Sequence, residues 1–287
     1  MAARIPIWTV DSFTNKPFTG NPAGVCLLEK DLNIRDEIKQ KIAAEMNISE
    51  TCFVTPISEG DFCQATVFSL RWFTPTDEVP LCGHATLAAA TVLWEEKKNV
   101  NSCIQFSTLS GILYARYVDG QVLLDLPLYP GQCCDEGEFG ALVDVLSCGL
   151  PVKDVLLSPP MKYLMVVLED QVTGKQLELC SPDIDAMPEL ETTGRVKGVI
   201  LTVNGDSEYD FYSRHFDPWQ GIPEDPVTGS THTVMAPYWG ERLGKKRMVA
   251  RQCSKRGGEM ELMMRSEVGR LEIRGRATIF LSGFITV

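Results

Sequence analysis

The sequence lacks the motifs that cofactor-dependent enzymes use. Its 287 residues include only three histidines, with no H-E-x-x-H motif and no Cys/His cluster, so a transition-metal site is not expected. The phosphate-binding motifs G-x-G-x-x-G and G-x-x-x-x-G-K-[ST] are absent, as is the nucleophile elbow G-x-S-x-G. These absences argue against dinucleotide, P-loop and hydrolase sites, and we expect neither a metal nor a cofactor.

Long hydrophobic runs and regular cysteine spacing are also missing. The apolar run at residues 5–10 is interrupted by Pro6 and is too short for a signal-peptide core, and no stretch approaches the ~18 apolar residues of a membrane span. The ten cysteines form no C-x-x-C pair and no spacing typical of a disulfide scaffold. We therefore predict a cytoplasmic protein with reduced thiols that does not bind membranes.

Positive charge is scarce over most of the chain. Lys and Arg total 27 against 38 Asp and Glu, and the net charge of -11 disfavours binding to nucleic acid. Residues 241–287 are the exception, with eleven basic and five acidic residues. This basic segment could bind an acidic protein partner, but a solvated rim of helix and strand is the more common explanation.

An internal repeat indicates two similar halves. Residues 78–84 and 224–230 both fit the pattern E-x-P-x-x-G-x, at an offset of 146 residues. Each copy follows an F-x-P triplet, at residues 73–75 and 216–218. Because several matches occur in the same order, they favour a duplicated domain over chance.

Alternating strand patterns outnumber helical ones, which predicts an α+β fold. We place the two domains at residues 1–120 and 121–287, and the last strand, at about 277–287, could return to the first half. Helices are expected at residues 34–47, 83–96, 182–192 and 229–242.

Each repeat motif predicts a helix start able to hold an anion. Gly83 and Gly229 allow the backbone to approach a ligand closely, and His84 and Ser230 follow them in the first turn. Helix N-termini carry free N–H groups and partial positive charge, so two of them in one cleft between the halves would bind a carboxylate. The helices that follow are small and apolar on nearly every side, which predicts burial inside a roll of strands.

Glu45 is the first candidate for acid–base chemistry. A helical wheel of residues 34–47 places it in the middle of the apolar stripe formed by Ile34, Ile38 and Ile42. A carboxyl group held in a dry environment has a raised pKa, which suits a general acid–base. The alternative is a glutamate at the end of a helix whose side chain reaches water.

Polar residues near the repeat motifs are further candidates. His84, Asp225 and Ser230 could hold a polar substrate or relay protons, although helix capping is the more common explanation for Asp225 and Ser230 taken alone. Cys82 precedes a helix start, where a thiol becomes more acidic. Its counterpart in the second repeat is Thr228, so a racemase with two thiols is excluded, and we expect Cys82 to be buried and dispensable for chemistry.

Four motifs resemble the signatures of the PhzF family, and together they cover essentially the whole chain in order. They are Gly20-Asn-Pro22, residues 44–51, residues 73–84 and residues 221–230. The resemblance implies a diaminopimelate-epimerase-like fold, with two pseudo-symmetric domains that are each a β-roll around a central helix, in a homodimer. It also implies a cofactor-independent isomerase that moves a proton on a small carboxylate-bearing metabolite.

The resemblance further assigns the site residues. The family's catalytic glutamate is taken to correspond to Glu45, and its histidine and aspartate to His84 and Asp225. The native substrate is not implied, and an enzyme-derived fold that acts as a binding or regulatory protein is the alternative. Retention of the polar site residues together favours the enzyme. The residues expected to bind substrate are Asn21, Gly83, Gly229 and Ser230.

Overall fold

The structure is a computed structural model, and it describes residues 4–135 and 137–287. The chain divides into two compact units. The first unit consists of Met1–Asp125 and Arg274–Val287, and the second consists of Leu126–Ile273. The first unit therefore contains both ends of the chain, joined through a pair of strands.

Strands outnumber helices, in agreement with the predicted α+β fold. The helices are α1 (Asp36–Met46), α2 (Gly83–Thr91), α3 (Gly140–Ser147), α4 (Gly174–Leu179), α5 (Met187–Leu190) and α6 (His232–Leu243). The strands are β1 (Arg4–Ser12), β2 (Asn21–Leu27), β3 (Glu50–Pro56), β4 (Val67–Phe73), β5 (Glu78–Val79), β6 (Cys103–Thr108), β7 (Gly111–Val118), β8 (Gln121–Pro127), β9 (Gln132–Cys133), β10 (Val152–Ser158), β11 (Tyr163–Leu168), β12 (Gly198–Asn204), β13 (Phe211–Phe216), β14 (Arg247–Gln252), β15 (Gly258–Arg265), β16 (Arg270–Gly275) and β17 (Ala277–Thr286).

In the first unit, strands surround a central helix. The strand order is β17–β1–β2–β3–β4–β6–β7–β8, in which β2–β3 and β4–β6 are parallel pairs. Helix α2 packs against β1, β2, β3 and β17, and every residue from His84 to Thr91 is buried. Because this helix is small and apolar on nearly every side, it has no face that favours water, and its predicted burial is confirmed.

The second unit repeats this plan around α6. Its order β10–β11–β12–β13–β14–β15 alternates antiparallel and parallel pairs in the same sequence as β1–β2–β3–β4–β6–β7. Helix α6 packs against β11 and β15, and its Trp239 donates a hydrogen bond of 3.0 Å to Thr202 Oγ1 in the core. The helix begins at His232, later than predicted, because residues 229–231 form a turn.

The same ion pair recurs within each unit. On β4, Arg71 binds Glu78, the first residue of the repeat motif, through Nε and Nη2 at 2.7 Å each. On β13, Arg214 binds Glu224 through the same atoms at 2.7 and 3.0 Å. Each guanidinium also lies over the phenylalanine of the neighbouring F-x-P triplet. Forked arginine–carboxylate bonds are geometrically specific, so the repeat in sequence is also a repeat in structure.

Ion pairs with acidic neighbours occupy much of the basic segment at residues 241–287. Such local pairing is what a solvated rim of helix and strand shows, and it favours that explanation over a dedicated acidic partner. The pairs are Arg242–Asp170, Lys245–Asp210, Arg251–Glu259 and Arg265–Glu272.

Some local features differ from the sequence predictions. The patterns do not predict α3, α4 or β10, and the helix expected at residues 182–192 is limited to α5. The expectation of reduced thiols is wrong for one pair, since Cys148 and Cys180 form a disulfide with Cα atoms 6.1 Å apart. This pairing joins the ends of α3 and α4, and cysteine spacing alone does not reveal it. Within the described residues, no helix is both long and apolar enough to cross a membrane.

Candidate active site

His84 lies at the centre of a buried polar cluster in the first unit. It is in the first turn of α2, and its carbonyl oxygen accepts a hydrogen bond of 2.8 Å from Ser12 Oγ. On one side of the imidazole, Nε2 lies 3.1 Å from Glu50 Oε2. On the other side, Nδ1 lies 3.4 Å from Cys82 Sγ and 3.2 Å from Asn21 Nδ2. The ring therefore connects a carboxylate with a thiol.

The charges of Glu50 and His84 stabilise each other. Burial opposes ionisation of Glu50, but the attraction of His84 outweighs it and lowers the pKa of this carboxyl group. Burial likewise opposes protonation of His84, whereas Cys82 and Glu50 together raise the pKa of the imidazole well above its usual value. Burial also raises the pKa of the Cys82 thiol. At neutral pH the cluster thus contains a carboxylate, an imidazolium and a protonated thiol.

Glu45 does not lie in a dry environment, and this prediction is wrong. The side chain is exposed near the end of α1, whose buried residues are Ile42 and Ala43. On a wheel of 100° per residue, the midpoint of these two is roughly 110° away from Glu45. Ile38 and Met46 are partly buried and pack against the same core, so the apolar face extends from the isoleucine stripe toward Ala43 and leaves Glu45 at its edge. Glu45 therefore has the alternative role of a solvated glutamate at a helix end.

Glu50 is the buried charged residue of this cluster that the sequence reasoning missed. It is the first residue of β3, is 8% exposed, and lies in the same motif as Glu45, at residues 44–51. A signal was present, because Glu50 opens a strand in which six of seven residues are buried. A charged residue in such a strand is costly unless it is paired, and its partner is His84.

Asn21 is fully buried, which differs from the expected contact with substrate. Its Oδ1 accepts a hydrogen bond of 3.1 Å from Ser49 Oγ, while its Nδ2 faces His84. The amide therefore contacts the imidazole and accepts a hydrogen bond from Ser49, the residue before Glu50. Gly83, by contrast, borders open space, since a Cβ atom built on it would meet nothing within 4 Å.

Asp225 belongs to a second polar cluster, within the second unit. Its Oδ2 accepts a hydrogen bond from Thr228 Oγ1, which also lies 3.0 Å from Nδ1 of His215. The Thr228 hydroxyl uses its one hydrogen in the bond to Asp225, so it can only accept a hydrogen bond from His215. Nδ1 of His215 therefore carries the ring hydrogen and donates a hydrogen bond to Thr228 Oγ1. Burial lowers the pKa of His215 to about 3, so that this ring is neutral.

Ser230 and Gly229 lie in the turn that precedes α6. The hydroxyl of Ser230 is 3.4 Å from that of Tyr163. The N-cap position of α6 is Thr231, so helix capping does not account for Ser230 or for Asp225. The predicted site residues thus form two groups. Asn21, Gly83 and His84 are in the first unit, and Asp225, Gly229 and Ser230 are in the second.

Asp217 is a further buried carboxyl group that the sequence reasoning did not identify. It is 3% exposed, its Oδ2 accepts a hydrogen bond from Gln220, and no hydrogen bond reaches its buried Oδ1. Burial, reinforced by nearby Asp225, raises its pKa to about 7. The signal available in the sequence was the position of Asp217 in the middle of the F-x-P triplet at residues 216–218.

Comparison with known proteins decides the family. The profile of the phenazine biosynthesis-like proteins, PhzC–PhzF, matches residues 10–283. The chain belongs to the PhzC–PhzF family. It is 48% identical to the phenazine biosynthesis-like domain-containing protein of Bos taurus over 99% of both chains. It is 43% identical to an uncharacterized isomerase of Pseudomonas aeruginosa over 96% of both chains.

Solved structures share the fold. A phenazine biosynthesis protein of the PhzF family from Enterococcus faecalis superposes with a TM-score of 0.85 at 34% identity, covering 99% of each chain. A hydroxyproline epimerase from Agrobacterium vitis superposes with a TM-score of 0.58 at 12% identity, covering 99% of this chain and 93% of the other, which shows the fold alone. The predicted family and the epimerase-like fold are confirmed, and the relatives are of the isomerase and epimerase type.

Proposed function

We propose that the protein is a cofactor-independent isomerase that moves a proton on a small carboxylate-bearing metabolite, with Glu50 as the general base. The observation that carries this proposal is the buried contact of 3.1 Å between Glu50 Oε2 and His84 Nε2. The isomerase name of the bacterial relative and the epimerase-like fold support the reaction class.

Glu50 can accept a proton because its carboxylate is ionised at neutral pH. The ion pair with His84 lowers its pKa and so keeps it ionised, and its buried position fixes its orientation. When the carboxylate takes a proton from a carbon atom, this ion pair weakens, and the loss favours return of the proton. One carboxylate can return the proton to another atom on the same face of the substrate, which is an isomerisation.

His84 supplies charge as well as position. Its imidazolium is next to Gly83, where open space borders the N-terminus of α2. The helix end and the imidazolium are both positive, and together they favour a substrate carboxylate at this point. Ser49 helps to hold the ring in place, because its Oγ lies 3.3 Å from Nε2, from which it can accept a hydrogen bond, and donates to the Asn21 amide oxygen.

The second unit contributes Asp225, Gly229 and Ser230 to the proposal, as the family resemblance implies. The hydrogen bond from Thr228 fixes the Asp225 carboxylate, and the neutral His215 behind it adds no competing charge. This arrangement supports a role for Asp225 in holding a polar substrate group or relaying its proton.

Hydrogen exchange tests the proposed function. The purified protein is incubated in deuterated water with a panel of small amino and hydroxy carboxylic acids, and mass spectrometry measures deuterium bound to carbon. We expect incorporation into one chemical class without added cofactor and without loss on addition of EDTA. A requirement for a metal or a cofactor would contradict the proposal.

A cytoplasmic homodimer completes the proposal. Phe280, Leu281 and Phe284 on β17 are 42%, 46% and 56% exposed, and an apolar strand of this kind supports contact with a second copy. Sedimentation equilibrium of the purified chain tests the homodimer, and a monomer at micromolar concentration would contradict it. Fractionation of cells tests the cytoplasmic location.

A further inference from the structure

We propose that Glu50, Cys82 and His84 form a binding site for a thiophilic divalent cation, with Zn²⁺ as the best chemical match, and that the bound cation inhibits the enzyme. The binding site follows from the geometry alone, whereas the inhibition rests on the proposed function of Glu50. Cation binding would thus regulate the site that performs the proton transfer.

The three side chains converge in the first unit. One ligand atom from each, the sulfur, a ring nitrogen and a carboxylate oxygen, lies within 4.8 Å of the other two, and all three residues are buried. Cys82 and His84 flank the start of α2, and Glu50 starts the neighbouring β3. The backbone of two regular elements therefore holds the ligands close together before any cation binds.

The distances suit a tetrahedral zinc ion. Zn–S and Zn–N bonds of about 2.3 and 2.05 Å at a tetrahedral angle place sulfur and nitrogen about 3.6 Å apart. Cys82 Sγ and His84 Nδ1 are 3.4 Å apart. The carboxylate of Glu50 lies 3.1 Å from the other ring nitrogen, so a rotation of the imidazole or of the carboxylate must bring all three ligands onto one cation.

The ligand types select the cation. A thiolate, an imidazole and a carboxylate form a ligand set that zinc accepts, with one position left for water or substrate. Mg²⁺ and Ca²⁺ prefer oxygen ligands only and do not match a set that contains sulfur. The chemistry therefore favours zinc and its spectroscopic substitute Co²⁺.

The surroundings of the cluster also suit a bound cation. Glu50 Oε2 is buried and its charged neighbour is the His84 imidazole 3.1 Å away, so a cation bound here would replace the imidazolium as the charge that neutralises this carboxylate. Gly83, between the two other ligands in sequence, borders open space through which a cation could enter.

Cation binding would stop proton transfer at its source. Zn²⁺ binding displaces the thiol proton of Cys82 and one ring proton of His84 to solvent, since both ligands must be deprotonated to bind the metal. The lone pair of the Glu50 carboxylate that takes the substrate proton would then be shared with the metal, and the neutral His84 would no longer form an ion pair with that carboxylate. Cys82 supplies the sulfur ligand, so the hydrogen exchange that remains in a Cys82 variant should no longer be inhibited by the cation.

Titration of the full-length protein with Co²⁺ tests the site. A thiolate-to-cobalt charge-transfer band reports a sulfur ligand, and intense d–d bands report tetrahedral coordination. We expect one Co²⁺ per chain with both signals in the wild type, and displacement by Zn²⁺. Cys82→Ala should lose the charge-transfer band and at least about tenfold in affinity. Cys103→Ala removes an exposed thiol of the same unit and should bind like the wild type.

Two outcomes would overturn the site: a cobalt spectrum without the thiolate band, or an equal loss of affinity in Cys103→Ala. Cys82→Ser guards against misfolding, since Zn²⁺ should raise the melting temperature of the wild type but not that of this variant. If cobalt binds as expected but the protein exchanges no substrate hydrogen, the cation site stands and the proposed isomerase activity is refuted. Exchange that Zn²⁺ does not inhibit, with no thiolate band, would refute the site alone.

Discussion

Replacement of Asp217 by asparagine should remove a loss of folding stability that the wild type shows as the pH rises. The side chain is 3% exposed, and burial and nearby Asp225 raise its pKa to about 7. The pKa of Asp in an unfolded chain is about 3.9. The native state therefore holds this proton more tightly, and the stability that the protonated group contributes is complete below about pH 4 and is lost as the pH rises through 7. About three pKa units correspond to about 4 kcal/mol as an upper limit.

Urea unfolding, followed by tryptophan fluorescence at about pH 3.5 and about pH 8, measures the effect, because these two values lie below and above both pKa values. Asp217→Asn keeps the shape but cannot ionise, so its free energy of unfolding should exceed that of the wild type at the higher pH and match it at the lower. Asp206→Asn is the control of opposite sign, because hydrogen bonds from the Glu208 backbone and the Tyr212 hydroxyl lower the pKa of Asp206. A gain that does not depend on pH, or a loss at the higher pH, would refute the reasoning.

Two other predictions concern the first unit. NMR titration should find a single charged imidazole at neutral pH, that of His84, because burial lowers the pKa of the other two histidines to about 3 and about 4. The His84 pKa should fall in Glu50→Gln and stay unchanged in Glu45→Gln, and a neutral His84 in the wild type would contradict the ion pair. Leu87→Ala should lower the free energy of unfolding by about 2–5 kcal/mol, because Leu87 is fully buried in α2. Leu109→Ala, at an exposed position, should change it by less than about 0.5 kcal/mol, and equal effects would refute the central position of α2.

The duplicated architecture could be predicted because its signals are local. Helix α2 is small and apolar on nearly every side, and this composition predicts burial whatever its neighbours are. The repeated F-x-P and E-x-P-x-x-G motifs mark the positions where Arg71 and Arg214 form the same ion pair. The disulfide between Cys148 and Cys180 could not be predicted, since it depends on where α3 and α4 end in space.

The glutamate that we propose as the general base could not be identified from helical periodicity. The pattern of an 11-residue helix defines its apolar face only approximately, and packing against β3 and β4 determines how the helix is rotated. Glu45 lies outside the buried face for this reason. The burial of Glu50 depends on His84, 34 positions later in the sequence, and a contact of that range leaves no periodic pattern.

Replacement of each glutamate by glutamine tests the central claim most directly. Glu50→Gln and Glu45→Gln both remove one carboxylate and keep the side-chain shape, but Glu50 is buried against His84 and Glu45 is exposed. The measurement is the rate at which substrate hydrogen exchanges with deuterated water. We predict that Glu50→Gln loses about 10²–10⁴-fold in this rate and that Glu45→Gln keeps the wild-type rate. Wild-type exchange in Glu50→Gln, or its loss in Glu45→Gln, would contradict the assignment of Glu50 as the general base.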